Sequence, residues 1–212
     1  MNKALIKLMT TLVLVLGFVS QGVQAQEGKQ LQQNFAYHGQ KIVLDIEVGK
    51  VEVIATDDAE IRVEVDVVAS QLSWFNMWQQ GDISAVDFAV EEHNERIVFK
   101  LNQQDDLKQN WRVYVPKEAA TDVDLGIGEV EVAGLKSDLA IDLGVGRVIV
   151  DNRHSYREID LSSGVGEVLV RRNGERVAVK QALVSQSYEQ KASAGQYQLL
   201  VSVGVGQVEV NY

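Results

Sequence analysis

Apolar and polar residues alternate with a period of two along most of this chain. The alternation is strict between positions 41 and 68, in KIVLDIEVGKVEV and then in EIRVEVDVV. It is typical of half-buried β-strands, and no long stretch shows the i, i+3, i+4, i+7 spacing of an amphipathic helix. Further strands are predicted at 86–90, 97–101 and 111–115, and the last should end at Pro116 because proline cannot donate to a ladder. The pattern predicts an all-β fold.

Two hairpins are predicted from apolar residues that would face each other across a tight turn. The pairs are Val90 with Ile97 and Phe88 with Phe99 around His93-Asn94, and Val170 with Val177 and Val168 with Val179 around Asn173-Gly174. Asn-Gly is a strong hairpin signal because both turn residues tolerate positive φ. The polar stretch 102–110 is predicted to be a loop.

One short phrase is written several times. The strong copies are DLGIGEVEV, DLGVGRVIV, SSGVGEVLV and SVGVGQVEV, and DIEVGKVEV is a fainter one. The second glycines of the strong copies, Gly128, Gly146, Gly166 and Gly206, are separated by 18, 20 and 40 residues, so a degenerate copy is expected near 185–188. Regular self-similarity indicates stacked units that bury their apolar sides against neighbours.

Within each copy the apolar parity changes. Leu125 and Ile127 are expected on one face, and Val130, of opposite parity, returns to it after a switch at Gly128-Glu129. Glycine accepts positive φ, so the second glycines, with Gly49 of the faint copy, are predicted to form equivalent corners. Each corner could be a Gly-X hairpin with antiparallel arms or a bend in a β-solenoid coil.

Stacking of such coils in register would bring charged corner residues into one column. That column would read acid, base, acid, in Glu129, Arg147 and Glu167. We expect one repeat domain at 41–212, preceded by a polar lead-in at 26–40. Its fold is predicted to be a β-solenoid or β-roll of stacked short strands with at least one hairpin, and a β-sandwich is the alternative.

The first 25 residues have the layout of a secretory signal peptide. Lys3 and Lys7 precede an apolar run at 8–19, and Ala25 supplies the small residue at a cleavage site. The run is shorter than the roughly 20 residues of a spanning helix, which makes an uncleaved anchor the weaker reading. Cleavage after Ala25 predicts a periplasmic or secreted protein.

Charge narrows the classes of partner. The formal net charge is −10, and it becomes −12 when Lys3 and Lys7 are removed with the leader. Nucleic acids and anionic membranes reward Lys and Arg, so neither is an expected partner. The chain has no cysteine, and no disulfide can support it.

Residue types that could carry chemistry are scattered along the sequence. They are His38, His93 and His154, the acid pairs 57–58 and 105–106, Ser162, and the set Asp142, Asp160, Arg153 and Arg157. The histidines lack the clustering of a zinc site and are expected to be solvated, and the acid pairs lack the spacing of a calcium loop. Two exterior carboxylates could serve a glycosidase, but a soluble decorated face is favoured. No catalytic residue, metal or cofactor is predicted.

An aromatic insert, QLSWFNMWQQ, interrupts the pattern at 71–80. Trp74, Phe75, Met77 and Trp78 fall within five positions. Repeat arrays need caps, and exposed strand edges need cover, so a lid over the end of the stack is favoured. A contact surface for a partner is the alternative, because Trp and Met are enriched in interfaces.

The serial phrases GIGEVEVAGL, GVGRVIV and GVGEVLV, with LDIEVGKVEVIATDDAEIRVEV and WRVYVPKE, resemble the DUF4097 family of adhesin-like β-strand repeat proteins in bacteria. The resemblance covers the chain from about position 41 and implies an exported, non-catalytic envelope protein that binds or supports other molecules. A carbohydrate-active enzyme or lectin, and an accessory or sensor protein that contacts a partner through the insert, are the alternatives. An envelope protein or a surface glycan is the expected kind of partner.

Overall fold

The computed structural model describes residues 28–69, 83–93, 95–192 and 195–212. All regular structure in these ranges is β-strand, which confirms the predicted all-β class. The proposed leader, the aromatic insert with Trp74, Phe75, Met77 and Trp78, and Asn94 of the first predicted turn lie outside the described residues. Within the described ranges no helix is long and apolar enough to cross a membrane.

In the described part of the chain, thirteen strands form one mixed sheet. In chain order they are β1 (Gly28–Ala36), β2 (Lys41–Thr56), β3 (Glu60–Ala69), β4 (Phe88–His93), β5 (Arg96–Leu101), β6 (Leu107–Pro116), β7 (Thr121–Ala133), β8 (Leu139–Asp151), β9 (Tyr156–Arg172), β10 (Glu175–Val177), β11 (Lys180–Gln181), β12 (Gln186–Lys191) and β13 (Tyr197–Asn211). The main path across the sheet is β1-β3-β6-β2-β7-β8-β13-β9-β12-β11, while β10 pairs with β9, and β4 pairs with β5, which pairs with β2.

The five copies of the repeated phrase are five neighbouring parallel strands. Each copy is one continuous strand, so the antiparallel Gly-X hairpin is excluded and the stacked alternative holds. The strands pair in register, and the second glycines stand side by side in the order Gly49, Gly128, Gly146, Gly206, Gly166.

The stacking order differs from the chain order of a simple solenoid. The last copy, β13, lies between β8 and β9 instead of beyond β9. The degenerate copy is β12, which runs antiparallel on the other side of β9 and pairs only as far as Ser163, before the glycines of β9 begin. β12 has no glycines of its own, whereas β13 has Gly204 and Gly206, so β13 matches the neighbours on both sides.

The parity switch lies two residues earlier than the sequence suggested. Leu125 and Val130 are buried, but Ile127 is 54% exposed, so Gly126 and Ile127 both face outward and the expected sharing of one face by Leu125 and Ile127 is wrong. The equivalent residues Val145, Val205 and Val165 are also exposed. Because every repeat strand carries the same extra residue at the same level, the irregularity leaves the pairing in register on either side.

Two columns of glycine backbone cross the repeat strands. The second-glycine column has φ between 142° and 154°, a region that L side chains rarely adopt. A Cβ built on Gly146 would stand 1.8 Å from the carbonyl oxygen of Gly128. In the first-glycine column, a Cβ on Gly144 would stand 2.5 Å from the carbonyl oxygen of Gly126. The neighbouring backbones occupy the space that any side chain would need.

The inward side chains make one continuous core. It draws valine, leucine and isoleucine from β2, β3, β5 and β6 and from all the repeat strands, on both sides of the glycine columns. The residues that cover this face come from the same sheet, so the sheet curls around its own core. At about 25 cal/mol per Å² of apolar area, that burial is the main stabilising term in a chain without disulfides.

The described hairpins differ in detail from the predicted ones. Val170 pairs with Val177 as predicted, but β10 ends there, and Val168 donates its backbone N–H to Gln186 Oε1 instead of facing Val179. Around the first turn the register is shifted by two residues. Val90 faces Phe99 and Phe88 faces Leu101, because His93 pairs with Arg96.

Two polar stretches contain more strand than expected. The predicted loop at 102–110 ends early, because β6 begins at Leu107 and buries Leu107 and Gln109. The polar lead-in contains the edge strand β1, which pairs along the whole of its length with β3. In both strands, side chains that face the sheet alternate with side chains that face solvent. This alternation was not recognised in the sequence because most of these side chains are polar.

The charged column at the corners is only partly as expected. Glu129 and Arg147 are neighbours, but Gln207 separates Arg147 from Glu167, since β13 lies between β8 and β9. The charged corner residues form ion pairs with residues of neighbouring strands. Lys50 of β2 lies 3.1 Å from Glu129 of β7, and Arg147 of β8 lies 3.1 Å from Glu209 of β13. The Lys50–Glu129 pair is about a third exposed on both sides, and a surface pair of this kind typically contributes only about 0.2–1 kcal/mol.

Candidate functional site

A cavity of about 690 Å³ lies where three repeat strands end. β8, β13 and β9 are parallel neighbours, so Asp151, Asn211 and Arg171 share one register row at the same edge of the sheet. The segments that leave these strands line the cavity together with the end of β12. The volume is within the range of about 300–1,000 Å³ for small-molecule sites.

Tyr156 forms a buried aromatic wall of this cavity. Its side chain is fully buried, and its hydroxyl accepts a hydrogen bond of 2.7 Å from Asn152 Nδ2. Asn152 is itself fixed, because its Oδ1 accepts the backbone N–H of Leu135 at 2.9 Å. Burial raises the pKa of Tyr156, so the phenol stays neutral at physiological pH. The ring of Tyr212 stands edge-on to it, with centroids 6.2 Å apart.

Arg172 holds a cluster of oxygen acceptors beside this wall. It donates to the hydroxyls of Tyr188 at 3.1 Å and Tyr212 at 2.8 Å, and to Gln190 Oε1. Its guanidinium carbon also lies 5.4 Å from the centre of the Tyr212 ring, within the distance of a cation–π contact. The hydrogen bond that Arg172 donates to Tyr212 is the main reason that the pKa of Arg172 is raised.

Two further arginines line the cavity and differ in how far they are neutralised. Arg171 pairs with Glu209, which Arg147 also contacts at 3.1 Å. Burial opposes ionisation of Glu209, but the hydrogen bonds from Arg171 and Arg147 outweigh it and lower the pKa of its carboxyl. Arg153 has a side chain that is 91% exposed and only a distant ion pair, 3.8 Å, with Asp151.

The surroundings of His154 differ from those predicted from the sequence more than the surroundings of any other candidate residue. It was expected to be a solvated surface histidine, but its ring packs against Tyr156 and Tyr197, with centroids 4.5 Å and 5.3 Å away. Its Nε2 is buried and has no hydrogen-bond partner among the described residues. Burial, helped by the charge of Lys136, lowers its pKa, so the imidazole is neutral at pH 7.

The other sequence candidates are not brought together. His38 is exposed in the connection between β1 and β2, and His93 is exposed at the end of β4. The acid pairs 57–58 and 105–106 lie in turns, and buried Ser163 beside Ser162 donates to the carbonyl of Gly206. Arg153 lines the cavity, but Asp142 and Asp160 lie on the outer face of the sheet, and Arg157 borders neither place. Across the described residues, no three or more His, Cys, Asp or Glu are grouped to hold a metal ion.

The cavity was missed because its residues follow the repeats instead of belonging to them. DNRHSY follows DLGVGRVIV, RRNG follows SSGVGEVLV, and NY follows SVGVGQVEV. Parallel copies in register bring their C-terminal ends to one edge, so the three tails meet there. The meeting of the three tails could therefore have been predicted from the sequence, once the repeat copies were taken to be neighbouring parallel strands.

Three aspartates form a row on the outer face of the same sheet. Asp45, Asp124 and Asp142 are register partners on β2, β7 and β8. Partial burial, with the charges of Asp45 and Asp142, raises the pKa of the Asp124 carboxyl. Like charges directly opposite each other on adjacent strands are destabilising.

Asp124→Asn should therefore stabilise the protein at neutral pH. The folded protein holds the Asp124 proton more tightly than the unfolded chain, so the contribution of this carboxyl to stability falls as pH rises from its ordinary pKa of 3.8 through the raised folded pKa. Above that window the substitution should gain about 0.5 kcal/mol, or about 1–2 °C in melting temperature. The gain should vanish at a pH below 3.8, where both side chains are neutral. Melting curves at two pH values measure it, and Asp58→Asn in the exposed β2–β3 turn should show no such pH-dependent gain.

Comparisons with known proteins place the fold and leave the function open. No family model matches this sequence. No curated protein matches it either. A solved structure of a protein from Clostridium sporogenes, named for cell adhesion, shares the fold, with a TM-score of 0.53 at 14% identity over 87% of this chain and 99% of that one. A protein from Bacteroides fragilis that is named an adhesin aligns at a TM-score of 0.32 and 8% identity, over 87% of this chain and 98% of that one.

Proposed function

We propose that the protein is an exported, non-catalytic binding module of adhesin type that holds a small ligand, or one end of a larger one, in the cavity at the ends of β8, β13 and β9. The observation that carries this proposal is the lining of the cavity. Aromatic rings, guanidinium groups and an amide converge on a concave space of about 690 Å³. Binding sites combine apolar walls with a few fixed polar groups in this way.

The surrounding fold suits a module that must keep its shape outside the cell. The cavity wall is attached to the repeat strands through Asn152 and Tyr156, whose hydrogen bonds are buried. Sites on rigid elements lose less entropy when a ligand binds. The name of the Clostridium sporogenes protein, together with the leader-like first 25 residues, supports surface or exported adhesion as the biological setting.

Binding is favoured over cleavage by the carboxylates. Glycoside hydrolysis uses two carboxyl groups that flank the scissile bond. Among the described residues, Asp151 is the one acid that lines the cavity, and it faces Arg153. The row of Asp45, Asp124 and Asp142 lies on the outer face of the sheet, away from the aromatic wall.

Retention on immobilised glycans tests the proposal. The protein is recovered from the envelope or medium of its native cell, where its intact mass should lack residues 1–25, and is passed over neutral and acidic glycans. Wild type should be retained on part of the panel, and Tyr212→Ala should lose that retention because it removes a cavity ring and acceptor. Tyr114→Ala is the matched control, since Tyr114 lies on β6, far along the sheet from the cavity.

Equal retention of wild type and Tyr212→Ala would reject the cavity as the binding site. Failure of the wild type to bind any glycan on the panel would reject adhesion to glycans. Melting temperatures of all three proteins separate loss of binding from loss of folding. Tyr212→Phe keeps the ring and removes only the hydroxyl, so it should keep at least part of the retention.

A further inference from the structure

The cavity concentrates positive charge in an acidic chain. Three of the nine arginines line it, Arg153, Arg171 and Arg172, while the whole chain has a formal net charge of −10. Asp151 is the one acidic residue among the described lining residues. A concave site of one sign within a surface of the other sign favours a ligand that carries the complementary charge.

The arginines retain unused donors. Arg171 uses Nη1 for Glu209 and Asn211, and Arg172 uses Nε and Nη2 for its oxygen acceptors. Nη2 of Arg171 and Nη1 of Arg172 have no hydrogen-bond partner among the described residues. Arg153 is the least committed of the three, because its one ion pair, with Asp151, is 3.8 Å long. A planar guanidinium with free donors matches a carboxylate in two-point geometry.

His154 adds a polar group that lacks a partner. Its buried Nε2 makes no hydrogen bond with any described residue, and a buried polar atom without a partner is destabilising. His154 lines the cavity, and its neutral imidazole can donate or accept at that nitrogen. A ligand hydroxyl can do either, so it would satisfy His154 in whichever tautomer is present.

The aromatic wall limits the kind of anion. Tyr212, backed by the fully buried Tyr156, presents ring surface in the same cavity as the arginines, and a bare inorganic anion would leave that surface without a partner. A sugar ring offers C–H surface for the aromatic rings and hydroxyls for the amide and imidazole. A carboxylate on that ring would engage the guanidinium groups.

We propose that the cavity recognises a sugar that carries a carboxylate, as in a uronic acid, with Arg153 as the residue that discriminates the acid from its neutral analogue. This proposal rests on the proposed binding function and deepens it. Arg153 has no role in the fold beyond its distant contact with Asp151, so its removal changes recognition without changing the core.

The test is calorimetric titration of the exported protein with small probe molecules. The probes are D-glucuronic acid, its methyl ester, D-glucose and N-acetylglycine. The acid should bind at least about tenfold more tightly than the ester or glucose, a difference of about 1.4 kcal/mol, because only the acid offers a charged acceptor to Arg153. Arg153→Ala should remove that preference, because it should weaken binding of the acid much more than binding of the ester. Arg176→Ala is the matched control, because it removes the same charge from the adjacent hairpin without lining the cavity.

Each contrary result has a separate meaning. Equal binding of the acid and the ester would overturn the carboxylate inference and leave the proposed function standing. If N-acetylglycine binds as tightly as glucuronic acid, the inference that the cavity recognises a sugar ring is rejected. If none of the four probes binds, the inference fails, while Tyr212-dependent retention on glycans still decides the proposed function by itself.

Discussion

Gly146→Ala should prevent stable folding or lower the free energy of unfolding by more than about 4 kcal/mol. Single substitutions cause losses of this size only when they severely disrupt the backbone or the core. Gly146 lies in the middle of the second-glycine column with φ of 146°. The added Cβ would stand 1.8 Å from the carbonyl oxygen of Gly128, so β7 and β8 would have to separate. Urea unfolding followed by circular dichroism measures the loss.

Gly174→Ala is the matched control for backbone conformation. Gly174 also has positive φ, 84°, but a Cβ there would meet nothing within 4 Å. The strain alone should cost about 1 kcal/mol or a little more. If the two variants lose the same stability, the close approach of neighbouring backbones is not what requires glycine in the column.

Deletion of β13 should abolish folding, although it removes only the last strand of the chain. β13 pairs on one side with β8 and on the other with β9, and it contributes the buried Leu199, Val201 and Val208. Its loss would leave β8 and β9 each without a partner on one edge and split the sheet between them. A stacked solenoid whose last unit is terminal would lose only that unit. Solubility and the circular dichroism spectrum of a chain that ends at residue 196 measure the effect.

Deletion of Gly28–Ala36 is the control for the removal of a strand of the sheet. β1 is an edge strand that pairs only with β3. That variant should remain folded with a lower melting temperature. A folded product of the β13 deletion would show that β8 and β9 can close directly on each other, and would contradict the reason given for the order of the strands.

The sequence predicted the repeat strands well because their signal is local. Period-two alternation and the repeated Gly-x-Gly identify each strand and its register. They do not identify its neighbour, since copies in register are nearly interchangeable, and the insertion of β13 between β8 and β9 depends on which strands lack glycines. The side on which Ile127 lies was also missed. An apolar residue was assumed to face the core, whereas the extra residue at Gly126 turns it outward.

The cavity was harder to predict than the fold. Its main groups, His154, Arg172 and Tyr212, are distant in sequence and share no pattern. In the sequence, each of these residues resembles an ordinary surface residue. They come together only because three parallel strands end at the same edge of the sheet. The aromatic insert was the most conspicuous part of the sequence, and the cavity residues were among the least.

The two glycine columns also limit which strands can fill an interior place in this sheet. β7 and β8 have paired neighbours on both sides, so the folded sheet offers no free edge at either strand. A strand that took the place of β8 or β13 with a side chain at the second-glycine level would bring its Cβ against a neighbouring carbonyl oxygen, at the 1.8 Å found for Gly146 and Gly206. The clash acts toward one neighbour only, because β6 carries Gln109 at this level and still pairs with β2 on the side away from β7. A segment without glycine at this level therefore cannot replace β8 or β13, and the close approach of the backbones selects the correct strands while the sheet assembles.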